Sequence, residues 1–253
     1  MLASPPSTAQ EAKASLYSAL EDAEYEPSSP SVLAAIDSLS PFSAEDQVES
    51  LWQGRWEVLS KPDFPDSLGT DGKGRYMFTL GRASFNMYQP VKLPIALDAI
   101  RNDVLPSAEG TLSYGLEIPF ETAGEEGKPM SGVMFNYGEC WKDEEVEGRY
   151  GVKFTGGSMR PAARTTVEEW LTVFGQQDQR DMGVGARVAT WVAKRLFQLR
   201  RPSGAGEGGT IAFSMAKAPA GYLDILYLDD ELRITKGNRG SIVIAKRTAE
   251  QSA

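Results

Sequence analysis

Short runs in which apolar and polar residues alternate recur along the chain after residue 53. Side chains of a strand point to opposite faces in turn, so this pattern predicts β-strands. The clearest case is the tail, Gly221 to Ala245. Its first half, Leu223 to Leu228, is apolar at both parities, so both faces of that strand should be covered, one by a barrel interior and the other by a packed segment. Glycine and asparagine residues at 237–240 tolerate a positive φ and predict a hairpin turn before the last apolar run.

Helical spacing of apolar residues replaces alternation before residue 53. It predicts three helices, over 10–24, 32–39 and 43–52, with Ser31 and Ser43 as N-caps. This segment is too small to fold alone, and we expect it to pack across one end of the β domain.

The middle of the chain contains further strands and two ambiguous stretches. Pro90 to Pro106 can be a short helix or an irregular cover, and Thr166 to Phe174 can be a helix or a strand, of which we favour the helix. Many short strands separated by turn residues are typical of a barrel or a sandwich. The predicted strands before the tail are 54–60, 75–80 and 83–88 around a Gly81-Arg82 turn, 111–120, 130–137, 149–155 and 211–215.

Two stretches carry a family resemblance. The run from Tyr227 to Arg233, YLDDELR, with the glycine-containing turn and apolar strand that follow it, resembles the C-terminal signature of the plastid lipid-associated proteins, or fibrillins. The stretch Leu51 to Leu59, with Gly54 two residues before Trp56, is similar to the opening strand of that family.

The resemblance and the strand pattern together predict a mainly β fold, a lipocalin-like antiparallel β-barrel with N-terminal helices as α+β additions. We expect residues 1–8 to be disordered and 9–52 to form a helical segment that packs on the barrel. Residues 53–247 would form the fibrillin-like barrel domain, with a basic amphipathic insertion near 182–201.

The amino-acid composition restricts the functions and the catalytic mechanisms that this chain can support. The 253 residues carry a formal net charge of −9, which argues against nucleic-acid binding through a general basic surface. The chain has no histidine, which removes the commonest general base and transition-metal ligand, and Ser–His–Asp or Cys–His catalysis with it. The single cysteine, Cys140, is expected to be buried or inert. We expect no enzymatic activity, no metal and no cofactor.

The acids 229–231 are interpreted as a solvated corner in which one acid pairs with Arg233 or Lys236.

The candidate ligand site follows from aromatic strand positions. In lipocalin-type barrels a tryptophan closes the floor and a late-strand arginine stacks on it. Arg233 is the candidate for such a contact with Trp56, which would contribute about 0.5–2 kcal/mol; the alternative is an ordinary core tryptophan and a surface arginine. A plain packed core explains the aromatic residues equally well, and the resemblance is what favours a cavity. The candidate ligand-binding residues are Trp56, Tyr76, Phe78, Phe135, Tyr137, Phe154, Tyr227 and Arg233.

The basic amphipathic stretch Val184 to Arg201 has three interpretations. It can be a helix that covers the barrel, a helix that lies on an anionic lipid surface, or partly a strand with a basic turn; the first is slightly favoured. The candidate membrane-surface residues are Arg187, Trp191, Lys194, Arg195 and Arg200.

The resemblance implies non-enzymatic binding or sequestration of an apolar small molecule, such as a carotenoid, a prenylquinone or another plastid or thylakoid lipid. The alternative is a structural coat or scaffold protein at lipid-droplet or thylakoid surfaces, with a packed barrel and no ligand. The expected location is the plastid, peripherally at plastoglobules or thylakoids or in the stroma, although no complete transit peptide is visible. Expected partners are an apolar small molecule or lipid and a peripheral membrane or lipid-droplet surface, without nucleic acid.

Overall fold

The fold was obtained as a computed structural model, which describes residues 6–44, 48–107, 111–123, 129–162, 164–177, 198–200 and 204–248. Helices in these ranges are α1 (Ala9–Asp22), α2 (Pro30–Leu39), α3 (Val48–Trp52), α4 (Leu80–Ala83) and α5 (Val167–Phe174), with short 3-10 turns at Ser40–Phe42 and Glu207–Gly209. The strands are β1 (Gly54–Val58), β2 (Met77–Thr79), β3 (Pro94–Leu97), β4 (Arg101–Pro106), β5 (Leu112–Thr122), β6 (Ser131–Lys142), β7 (Arg149–Pro161), β8 (Leu199–Arg200), β9 (Ile211–Met215), β10 (Ala220–Leu228), β11 (Leu232–Gly237) and β12 (Ile242–Arg247).

Eight of these strands close into an antiparallel barrel, which confirms the predicted mainly β barrel fold. Around the barrel the order is β5, β4, β1, β12, β11, β10, β7 and β6, and β6 pairs with β5 again. The first barrel strand, β1, lies between β4 and the last strand, β12, so closure depends on the C-terminal hairpin. The turn between β11 and β12 falls at the predicted glycine and asparagine residues, where Gly240 has a φ of 91°.

Strands β5, β6 and β7 are 11 to 13 residues long and extend beyond the barrel. There β3 and β2 add to the edge of β5, and β9 and β8 add to β7. Helix α5 packs over this curved extension through Trp170 and Phe174, whose rings lie 4.1 Å apart. The extension therefore has its own apolar core, continuous with the barrel through the three long strands.

Helices α1 and α2 pack against the outer face of the tail rather than across an end of the barrel. Leu16 and Leu20 of α1 and Leu39 of α2 meet Leu232 and Ile234 in one buried cluster. Helix α3 lies at an end of the barrel instead and inserts Trp52 there. The prediction that both faces of the first tail strand are covered is confirmed, because Tyr227 lies under the helices and Leu228 lies inside the barrel.

Several local predictions were wrong because side-chain capping and long-range pairing decide them. Gly81 and Arg82 belong to α4, whose N-cap Thr79 accepts a hydrogen bond from the Arg82 amide, and not to a hairpin turn. The segment 90–106 contains β3 and the whole of β4 instead of a helix or an irregular cover. Ser29, not Ser31, caps α2. The helix favoured over 166–174 is confirmed, with a capping box formed by Thr166 and Glu169.

Candidate functional site

The barrel interior is filled at the end where α3 enters it. Trp52, Trp56 and Tyr150 are fully buried there. The Trp52 and Tyr150 rings stack with centroids 4.3 Å apart and planes 15° apart, and the Trp56 indole N–H donates to the Trp52 carbonyl oxygen at 3.3 Å. This aromatic layer closes that end of the barrel against solvent.

A buried arginine lies between the two tryptophans. Arg233 is 3% exposed, and its guanidinium carbon lies 4.7 Å from the Trp52 ring centre and 4.8 Å from that of Trp56. The predicted contact of Arg233 with Trp56 is confirmed, and Trp52 adds a second ring on which the cation rests. Arg233 Nη2 also donates to Asn102 Oδ1, whereas Arg233 Nη1 is buried without a hydrogen-bond partner among the described residues.

The charge of Arg233 is not balanced locally. Within the ranges that the structure describes, no carboxylate forms an ion pair with it. Burial lowers the pKa of Arg233 to about 10, so the guanidinium stays protonated at neutral pH. The neighbouring Cys140 thiol is neutral, because burial raises its pKa although Trp52 and Arg233 act in the opposite direction. The barrel therefore holds a net positive charge inside an otherwise apolar layer.

Away from this end, the interior is mixed, with apolar and some polar side chains, and it is more open. Strand register places Leu116 opposite Asn136 and places Val243 opposite Thr235 on the inward face. Of these, Leu116, Asn136 and Val243 are only half-buried, and so is Phe154, although they point into a closed barrel. Phe154 contacts Tyr114 edge to face at 5.6 Å, which joins the open part to the layer around Arg233. This half of the interior presents accessible apolar surface.

A comparison with protein families decides the relationship of the tail. The PAP_fibrillin family model matches residues 209–246. These residues contain β9, β10 and β11 and most of β12, including the buried Arg233. The suspected resemblance to the fibrillins is thereby confirmed over this short stretch, and together with the barrel it fits a plastid lipid-associated protein. No curated protein and no solved structure matches the chain.

The structure brings only three of the eight candidate ligand residues together in the barrel interior. Trp56 and Arg233 lie in the closed end, and Phe154 lies where the interior becomes half-buried. Phe78 is instead in the core of the extension, with Tyr76 packed at its border. The Tyr76 hydroxyl donates to the carbonyl oxygen of Glu24 at 2.9 Å.

The remaining three candidates lie on the outside of the barrel, which corrects the expectation that they face a cavity. Tyr227 is buried under the helices, and its hydroxyl donates to Asp229 at 2.6 Å. Phe135 and Tyr137 pair in register with outward-facing positions of β5 and β7; Arg160 lies over the Phe135 ring at 5.1 Å, and Tyr137 is 44% exposed. The alternation along a strand predicts which residues share a face of that strand, but it does not predict which face points into the barrel.

Sequence reasoning missed the residues that complete the interior. Trp52 lies at the end of a predicted helix and has no predicted role, and Asn102 lies in a stretch whose predicted structure is ambiguous. Arg247 also lies over the Trp56 ring, 4.2 Å from its centre, and donates to the carbonyl oxygens of Gln53 and Leu51. The cross-strand pairing of Trp56 with Arg247 becomes visible only once β1 is known to pair with β12.

The acidic corner also differs from its prediction. Neither Arg233 nor Lys236 pairs with these acids; Lys13 of α1 does, at 2.6 Å from Asp229 and 2.7 Å from Glu231. Asp229 additionally accepts hydrogen bonds from the amides of Glu231 and Leu232, which shapes the turn between β10 and β11. In the described part of the chain, no group of three potential metal-ligating side chains occurs.

The candidate membrane residues Arg187, Trp191, Lys194 and Arg195 lie outside the described residues. Arg200 lies in β8 and is exposed. Helices among the described residues are all too short or too polar to cross a bilayer.

Proposed function

We propose that this protein is a non-enzymatic binder of apolar small molecules of plastid membranes, such as a carotenoid, a prenylquinone or another plastid lipid. The observation that carries the proposal is the half-buried apolar surface of Leu116, Phe154 and Val243 inside a closed barrel. The match of the tail to the fibrillins supports the plastid lipid class. The protein would hold its ligand by burial of apolar surface, and the mechanism requires no catalytic group.

The magnitude of such binding is modest. Burial of about 300 Å² of apolar ligand surface gains roughly 7 kcal/mol at about 25 cal/mol per Å². Loss of ligand freedom offsets a part of that gain. Because micromolar affinity needs about 8 kcal/mol, the resulting affinity is weaker than micromolar. We further propose a peripheral location at plastoglobules or thylakoids, where lipid is concentrated, with Arg187, Trp191, Lys194, Arg195 and Arg200 as the surface contacts.

The test is titration of the delipidated protein with a short-chain prenylquinone, followed by calorimetry and native mass spectrometry. Leu116→Trp fills the half-buried interior and should abolish binding. Leu171→Trp makes the same change on the exposed face of α5, where Leu171 is 40% exposed, and should leave binding intact. Circular dichroism checks that both variants are folded. Binding that survives in Leu116→Trp would place the ligand elsewhere and reject the barrel interior as its site.

A structural coat or scaffold role is the second candidate, favoured by the dense aromatic layer of Trp52, Trp56 and Tyr150. A wild-type protein that binds no carotenoid or prenylquinone, and yet floats with lipid droplets or liposomes, would support this role instead.

A further inference from the structure

The Nη1 group of Arg233 is a buried hydrogen-bond donor that has no acceptor among the described residues. A buried donor without an acceptor is unfavourable, and a buried cation without a counter-ion more so. Arg233 has both features, since Nη1 has no partner and no carboxylate of the described residues pairs with it. The rings of Trp52 and Trp56 lower the cost of burying the cation but accept no hydrogen bond from Nη1. Nη1 lacks an acceptor in the described part of the chain, and an anionic acceptor would correct both features at once.

The neighbours of Arg233 do not remove this imbalance. Asn102 accepts one hydrogen bond from Nη2, but its amide is neutral, and its Nδ2 donates to the Gly115 carbonyl oxygen at 2.8 Å. Arg247 lies on the Trp56 ring and is a second cation, with its own donors directed to backbone carbonyl oxygens. The hydroxyl of buried Tyr150 also has no partner in the part of the chain that the structure describes, so a second donor is available in the same layer.

The open apolar half of the interior adjoins this donor layer. Asn102 pairs in register with Trp56 on one side and with half-buried Leu116 on the other. Tyr114, which contacts Phe154, is close enough to Arg233 that the guanidinium charge acts on its phenol. An amphiphile with its chain along Leu116 and Phe154 would therefore direct its head group towards Arg233.

We propose that the ligand class of the barrel is a long-chain carboxylate, held by its chain in the half-buried apolar interior and by its carboxylate at Arg233 Nη1. This proposal rests on the proposed function, since it requires the barrel to bind an apolar chain. The carboxylate assignment is more specific than the proposed function, because a carotenoid hydrocarbon has no hydrogen-bond acceptor and a quinone carbonyl is an acceptor without a charge. Charge-assisted hydrogen bonds between a guanidinium and a carboxylate are about twice as strong as neutral ones.

The first measurement needs no variant. Palmitate and methyl palmitate share a chain and differ in the charge of the head group, so the delipidated wild-type protein is titrated with each by calorimetry at neutral pH. We expect palmitate to bind about tenfold more tightly or better, the size of one hydrogen bond to a charged group. Equal affinities would overturn the carboxylate assignment and would show that a buried water or nothing satisfies Nη1.

The second measurement supplies the missing anion from the protein. Asn102→Asp places a carboxylate against Arg233 and should lower palmitate affinity about tenfold or more while methyl palmitate affinity stays within about twofold. The matched control Asn238→Asp adds the same charge at the exposed turn between β11 and β12 and should change neither affinity. Palmitate binding that is unchanged in Asn102→Asp also contradicts the proposal.

The two proposals fail differently. If methyl palmitate and a prenylquinone bind as well as palmitate, the barrel is a lipid-binding site and only the carboxylate assignment is wrong. If none of the three ligands binds the wild-type protein, both the carboxylate site and the proposed function are wrong.

Discussion

The ion pair between α1 and the tail should contribute strongly to the stability of the protein. Lys13 is substituted by Met, which keeps most of the apolar stem and removes the ammonium group. The Lys13 side chain is 7% exposed and that of Asp229 is 19% exposed, at a separation of 2.6 Å. Loss of a hydrogen bond between such charged, mostly buried groups costs about 1.5–3 kcal/mol. Glu231 is 66% exposed and adds only about 0.5 kcal/mol. We expect Lys13→Met to lower the free energy of unfolding by about 2–3 kcal/mol.

Urea unfolding followed by tryptophan fluorescence measures this free energy by linear extrapolation. Lys236→Met is the matched control, because Lys236 is exposed on β11 of the same tail, and it should change stability by less than about 0.5 kcal/mol. A double-mutant cycle with Asp229→Asn should give a coupling of about 1–2 kcal/mol between positions 13 and 229. A loss below about 0.5 kcal/mol in Lys13→Met, or a coupling near zero, would refute the assignment of this pair as a stabilising link.

The pH dependence of this effect has a defined sign. Burial disfavours both charges, but the hydrogen bonds between Lys13 and its acids prevail, so the pKa of Lys13 is raised and that of Asp229 is lowered. The Asp229 contribution is complete above the ordinary aspartate pKa of about 3.9 and is lost as pH falls through the lowered pKa. The Lys13 contribution is complete below about pH 10.4 and is lost as pH rises through the raised pKa. The difference between wild type and Lys13→Met should therefore be largest from about pH 5 to 9 and smaller at pH 3, which a urea series at each pH measures.

Three further changes test separate parts of the fold. Thr166→Ala removes the capping box shared with Glu169 and should cost about 1 kcal/mol in urea unfolding; no change would contradict the cap. Gly132→Ala places a Cβ 2.6 Å from the Trp170 ring and should lower the free energy of unfolding by about 1–3 kcal/mol through overpacking. An unchanged stability would mean that α5 shifts away from the new methyl group at little cost in free energy. The Cys140 thiol is buried and its pKa is raised by that burial, so a thiol reagent should react in urea but not with the folded protein; rapid native labelling would contradict its burial.

The sequence predicted features that depend on the local spacing of apolar and polar residues. It did not predict contacts that depend on how distant strands and helices align. The tail hairpin follows from alternation and turn residues, and the contact of Trp56 with Arg233 was one of two possibilities drawn from the likeness to lipocalin-type barrels. The partner of Asp229 could not be found in this way, because Lys13 lies 216 residues earlier and meets it only after α1 docks. The outward placement of Tyr137 was missed because alternation fixes relative faces only, and a bulge next to it shifts the register between β6 and β7.

Strand β11, which lies in the part of the chain that matches the family model, contributes both to the helical cover and to the barrel interior. Leu232 and Ile234 of this strand face α1 and α2, while Arg233 and Thr235 alternate with them and face the interior. A register slip of one residue would exchange the two sets and bury the guanidinium in the apolar layer under the helices. Such an exchange would also turn Leu232 and Ile234 into the barrel interior, which would then lack its charged hydrogen-bond donor. The same six residues thus fix the helical cover and the chemistry of the barrel, so substitutions that preserve the alternation of β11 should be tolerated far better than ones that break it.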